Sequence, residues 1–187
     1  MHHWILTTAA VLTILFTDGL HAFDFAMSTY DMEGIEMRYY VASDGTNTIA
    51  MQPPIGWALS VQEGRVRLSP ANLDLGEIEI RILPGTLITK FDEPGMLEWT
   101  EFAKKLLPPA AERVEVVEQN NDYLQIERLP SAEFQFTYGF PGEDYRRSIV
   151  LWRRSQDLVA FIYTNTAKNF EQGQRDFQST IFSVHWE

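Results

Sequence analysis

Alternation of apolar and polar residues is the dominant pattern along this chain. In "EIEIRIL" (77–83) Ile78, Ile80 and Ile82 fall on one side and Glu77, Glu79 and Arg81 on the other, the two-residue period of a half-buried strand. "RVRLS" (65–69), "RVEVVE" (113–118), "YLQIER" (123–128) and "EFQFTYGF" (133–140) repeat the pattern and predict further strands. The last of these puts Phe134, Phe136, Tyr138 and Phe140 on one face and Glu133, Gln135, Thr137 and Gly139 on the other, which predicts a strand covered on one side only. Downstream the pattern changes. Ile149 to Trp152 and Leu158 to Tyr163 are unbroken apolar runs, so strands around 146–154 and 158–165 are apolar on both faces and belong at the centre of a sheet. Upstream, "TIAMQPPIGWALSV" (48–61) is interrupted by Pro53 and Pro54, which remove two amide donors and mark a sheet edge or a bend. "GIEMRYYVAS" (34–43) reads as an edge strand before the turn cluster "SDGTN" (43–47).

Two stretches follow the helical period instead. Met96, Trp99, Phe102, Ala103 and Leu106 recur at three- and four-residue steps after Pro94, and Pro108-Pro109 closes the segment. Phe170, Phe177, Ile181 and Val184 do the same within 167–184, with Gly173 weakening that helix by ~1 kcal/mol relative to Ala. Short turns between strands imply hairpins and an antiparallel sheet. The expected fold class is α+β: an α/β/α sandwich with a central, mainly antiparallel sheet of about six to seven strands and helices packed on it. The expected organisation is a leader over 1–22, an N-terminal extension over 23–45, and a single domain over 46–187.

"QPPIGW" (52–57), followed by "VRLSP" (66–70) and the strand "EIEIRI", resembles the opening of PsbP-like domains. "LVAFIYTNTA" running into "KNFEQGQRDFQSTIFSVHW" (158–186) is similar to the last strand and helix of that family. The resemblance covers Thr46 to Trp186. It implies the sandwich just described, a fold shared by the extrinsic PsbP subunit of the oxygen-evolving complex, a Ran-binding nuclear import factor and bacterial envelope lipoproteins. It also implies a non-catalytic binding or accessory role, and it carries no family active site onto this chain. The lipobox cysteine of the lipoprotein members is missing.

Composition narrows the classes of function. Ile5 to Phe16 is a run without charge, followed by Asp18-Gly19 and by Ala22; this is the length of a signal-peptide core and too short for a membrane span of ~20 residues. A periplasmic or secreted protein of the bacterial envelope is therefore expected, with cleavage before Phe23. The 15 Lys and Arg against 26 Asp and Glu give a net charge of −11, which argues against nucleic acid and against anionic lipid surfaces. There is no cysteine, which excludes thiolate nucleophiles and Cys-based metal sites. Beyond the leader His185 is the only histidine, so a Ser-His-Asp triad or a multi-histidine metal site cannot be built. Neither a phosphate loop nor a dinucleotide fingerprint occurs, and no cofactor, catalytic residue or metal ligand is expected.

The remaining candidates are each weighed against an ordinary role. Trp57, after Pro53, Pro54 and Gly56, is read as a plug at the end of the sandwich rather than an exposed ligand contact. Asp92 and Glu93 are read as complements to a helix N-terminus rather than a Ca²⁺ site. Asn120, Asn121 and Asp122 in "EQNNDY" (118–123) are read as a turn. Arg146, Arg147, Arg153 and Arg154 flank one strand and could hold an anion, but pairing with an acidic surface is the simpler account. Two surfaces follow. A partner-binding surface would use Gln135, Thr137, Tyr145, Arg146 and Arg147. A pocket for a small apolar or amphipathic ligand would be lined by Trp99, Phe134, Phe136 and Tyr138. The preferred function is an exported, non-catalytic binding or accessory domain contacting another envelope protein. The alternatives are a carrier of a small apolar ligand and a hydrolase built on a pair of carboxylates.

Overall fold

The computed structural model describes residues 24–43, 48–62, 65–83, 95–154 and 157–186. The leader expected over 1–22, and with it Asp92, Glu93 and Pro94, lies outside the described residues. The described residues form twelve strands and two α-helices: β1 (Asp24–Met32), β2 (Ile35–Ser43), β3 (Thr48–Met51), β4 (Trp57–Gln62), β5 (Arg65–Pro70), β6 (Glu77–Leu83), α1 (Met96–Lys104), β7 (Glu112–Asn120), β8 (Gln125–Ile126), β9 (Leu129–Phe140), β10 (Glu143–Arg154), β11 (Asp157–Thr166), α2 (Phe170–Ser183) and β12 (His185–Trp186).

The main sheet is antiparallel in the order β4-β5-β6-β11-β10-β9-β7, with β8 paired to the start of β9. The unbroken apolar runs sit where their composition places them. β11 lies between β6 and β10, and Val150, Trp152, Val159 and Phe161 point to one face while Ile149, Leu151, Ala160 and Ile162 point to the other. On the first face α2 lays down Phe170, Phe177 and Ile181; on the second α1 lays down Trp99 and Ala103, and the turn after it Leu106, against Phe134, Phe136 and Ile149. The fold is thus α+β, a large antiparallel sheet with a helix on each face.

Trp57 is buried, as its plug role requires, and its indole Nε1 donates to Asp176 Oδ2 of α2 at 3.3 Å. Gly56 before it takes φ +82°, a left-handed turn position that glycine fills without strain. Asn120 Oδ1 accepts from the Asp122 amide at 3.1 Å, the turn expected of that cluster.

Three expectations need correction. The region before Ser43 is not an extension with one edge strand: β1 and β2 form a hairpin, and β2 is interior to a second sheet of order β1-β2-β3-β12. Glu33 and Gly34, both with positive φ, make the two-residue turn whose twist suits such a hairpin. The strand expected over 123–128 shrinks to β8, because Glu127 and Arg128 both turn left-handed (φ 48° and 68°) and reverse the chain straight into β9. Finally, β9 is covered on both faces: Ser131, Glu133 and Gln135 are as inaccessible as Phe134 and Phe136.

Candidate functional site

The polar face of β9 is buried because its polar groups satisfy one another. Glu133 and Gln135 on β9 and Ser148 and Arg146 on β10 point to the α2 side of the sheet, brought together by the pairing of Ser148 with Gln135 and of Val150 with Glu133. Ser148 Oγ donates to Glu133 Oε1 at 2.6 Å, and Gln135 Nε2 donates to the same oxygen at 3.0 Å. Arg146 Nη2 donates to Gln135 Oε1, and its Nη1 reaches Glu171 Oε1 of α2 at 3.2 Å. The guanidinium lies 4.6 Å above the Phe170 ring, a cation–π contact that also shields it. A chain of polar contacts therefore runs from a fully buried carboxyl to a surface glutamate. Burial raises the Glu133 pKa above the usual carboxylate value, opposed by the hydrogen bonds from Ser148 and Gln135. A hydroxyl donating to a carboxylate resembles a nucleophile with its base. Here, however, Ser148 has no exposed surface and Glu133 is 1% exposed, so the pair is closed to a substrate and serves as an internal brace.

The opposite face at the same end is aromatic. Tyr138 stacks on Tyr145 at 5.8 Å, and Phe140 meets Tyr145 edge-on at 6.2 Å. Arg147 lies on this side: Nη1 donates to the Leu106 carbonyl at 2.6 Å and Nε to Thr164 Oγ1 at 2.8 Å, tying the end of α1 to β11. Burial lowers the Arg147 pKa below its ordinary value, a shift opposed by Tyr138.

The five residues expected as a partner surface are accordingly split. Gln135, Thr137 and Arg146 face α2, with Gln135 buried, while Tyr145 and Arg147 face the α1 side. Successive strand residues point to opposite faces, so Arg146 and Arg147 cannot share a surface. Of the four rings expected to line a pocket, Trp99, Phe134 and Phe136 pack together in the α1 core. Tyr138 is buried further along β9 in the Tyr145 stack.

What sequence reasoning passed over is the sheet edge. β7 pairs only with β9, and its other edge carries no strand among the described residues. Residues 112–119 are all exposed, including Val114, Val116 and Val117. The pairing is irregular between Glu112 and Glu115 and again between Val116 and Glu118. The doubled Val116-Val117 in "RVEVVE", which breaks the alternation, was the available sign of such a bulge. Two open clefts adjoin the strand. One, of about 700 Å³, lies at the β9–β10 turn between Glu112, Arg113, Phe140 and Asp144, where Arg113 pairs with Asp144 at 2.7 Å. The other, of about 500 Å³, lies between Lys104, Lys105 and Leu107 of the α1 end and Val114. Among the described residues no acid–histidine group could hold a metal ion, and no helix is long and apolar enough to cross a membrane.

Comparison with one solved structure agrees with this architecture. The solution structure of cyanobacterial PsbP from Synechocystis sp. PCC 6803 matches over 90% of this chain and 95% of its own, at 10% identity and a TM-score of 0.54. LpqN, involved in cell envelope biogenesis of Mycobacterium tuberculosis, matches over 87% of this chain and 91% of its own, at 10% identity and a TM-score of 0.47. A Bacteroides thetaiotaomicron structure matches over 74% of this chain at 12% identity and a TM-score of 0.47, and this chain spans only 45% of its length. No family model matches the chain, and no curated protein is similar to it in sequence. The chain is an α+β sandwich domain built on an antiparallel sheet. More narrowly, its fold is PsbP-like.

Proposed function

We propose that this protein is an exported, non-catalytic binding domain of a bacterial cell envelope that works by contact with another protein. The observation that carries the reading is the exposed edge of β7. Glu133 and Ser148, which have catalytic potential, are consumed in an internal brace, whereas the outer edge of β7 carries no strand among the described residues and presents half-exposed valines. A ligand-carrying reading finds less support, because Trp99, Phe134 and Phe136 would have to separate from one another to admit an apolar guest. Export rests on the uncharged run Ile5 to Phe16; mass spectrometry of the exported protein should find a chain beginning at Phe23, and intact Met1 would refute it. Affinity capture from envelope extracts, with partners quantified, tests the binding role. One protein enriched in stoichiometric amount is the expected result, and recovery of bound lipid alone would overturn it.

A further inference from the structure

The faces of β7 follow from its register. Glu112 is opposite Gly139, Glu115 opposite Thr137 and Glu118 opposite Gln135, so the three glutamates share the α2 side of the sheet despite the two bulges. Val116 is opposite Phe136 and belongs to the α1 side, where Val114 borders the groove with Leu107 and Pro108. The edge is therefore acidic on one face and apolar on the other. None of the three carboxylates has an ion-pair or hydrogen-bond partner among the described residues, while the basic residue between them, Arg113, is paired with Asp144.

We infer that the free edge of β7 accepts an added strand from a partner segment in which Lys or Arg alternates with Val, Ile or Leu. This deepens the proposed function and rests on it for the biological partner. The occupant is set by charge and by the pleat. Side chains of an added strand alternate between the two faces. One set meets Glu112, Glu115 and Glu118 and is best matched by cations, since opposite charges across a strand pair stabilise it and like charges destabilise it. The other set continues Val114 and Val116 and must be apolar. Main-chain hydrogen bonds to the open edge supply the rest of the attraction, as in strand addition generally. The same carboxylates disfavour pairing with a second copy of this chain: a β7–β7 ribbon would place glutamates opposite glutamates on a chain already at −11. Bulges and charges of this kind are the usual means of keeping an edge from promiscuous pairing. Here they leave a basic strand as the admissible partner.

The probe is a synthetic ten-residue Lys-Val alternating peptide added to the full chain, with binding followed by calorimetry and by hydrogen exchange of the β7 amides. Saturable binding with slowed exchange confined to β7 is expected. A peptide of the same composition in Lys-Lys-Val-Val order, and one N-methylated at alternate residues, should both fail to slow exchange. Glu115→Lys with Glu118→Lys, both at exposed positions, should weaken binding about tenfold at low salt while the unfolding midpoint is kept. Equal binding of the two Lys-Val orders would show charge attraction without strand addition and overturn the inference, as would concentration-dependent dimerisation through β7. Envelope capture separates the two readings. A captured protein partner undisturbed by the double charge reversal refutes the edge inference and leaves the proposed function standing. Peptide binding at β7 without any captured protein supports the edge and refutes the envelope role.

Discussion

Gly173 gives the sharpest test of how this domain is packed. Judged by helix propensity alone, Gly173→Ala should stabilise α2 by about 1 kcal/mol. The structure reverses that sign. A Cβ at this position would run into the Leu75 carbonyl and the Tyr163 hydroxyl, with the Tyr163 ring carbon Cζ at 3.0 Å. Neither neighbour is free to yield. The Leu75 carbonyl belongs to backbone, and the Tyr163 hydroxyl is held by contacts with Leu75 O at 3.1 Å, Phe170 O at 2.9 Å and Asn165 Nδ2 at 3.1 Å. Overpacking of this kind costs about 1–3 kcal/mol, and loosening a buried hydroxyl from its partners costs roughly 1–3 kcal/mol more. Against the propensity gain, the net expectation is a loss of about 3 kcal/mol, or a fall in Tm of about 6–12 °C for a domain of this size. Urea and thermal unfolding of the two proteins at neutral pH measure it directly. A double-mutant cycle with Tyr163→Phe should show coupling of at least ~0.5 kcal/mol, because the hydroxyl that the new methyl meets is then absent. If Gly173→Ala matches or exceeds the parent in stability, helix α2 does not sit as close to the 73–75 turn as described here, and the reasoning fails.

Two further predictions follow from local features. Glu133 keeps its proton to higher pH when folded than when unfolded. Folding therefore binds protons, and stability falls as pH rises from about 4.5, the unfolded value, through the raised folded value. Glu133→Gln should remove that fall while leaving an oxygen to accept from Ser148 and Gln135. The stability difference between variant and parent should thus shift in favour of the variant across this window in urea melts, and a pH-independent difference would refute it. At the β8–β9 turn, Glu127→Asn with Arg128→Gly should stabilise the fold by about 1 kcal/mol, since both positions are left-handed and those residues tolerate that conformation. Unchanged or reduced stability would show that the turn is not strained by its present residues.

Much of this architecture is legible in the sequence because burial writes a period into a strand. Ile78 and Ile80, Val66 and Leu68, and the two-sided runs of β10 and β11 are found where their periods put them. The Glu127-Arg128 turn escaped because it contains neither Gly nor Asn, the residues that announce positive φ. The burial of Glu133, Gln135 and Ser148 escaped for another reason. Polarity shows that a side chain needs partners, not whether water or neighbouring side chains of its own and the adjoining strand supply them. The division of Arg146 from Arg147 was available from alternation alone. The open edge was not, since the order of strands across a sheet depends on pairings that no local pattern encodes.

Those pairings also set the route by which the chain must assemble. β4, β5 and β6 form one meander of near neighbours, and β7 to β11 form a second. A single seam joins them, Ile78 beside Tyr163 and Ile80 beside Phe161, between residues roughly 80 positions apart in the chain. Each meander can zip from its own turns, but the seam must wait until a long loop has closed against its entropy. Closing it is the expected slow step of folding, with the β6–β11 hydrogen bonds the last to become protected in pulsed hydrogen exchange. A chain halted before that closure would expose the β11 edge, apolar on both faces, and would be most prone there to pair with the wrong neighbour.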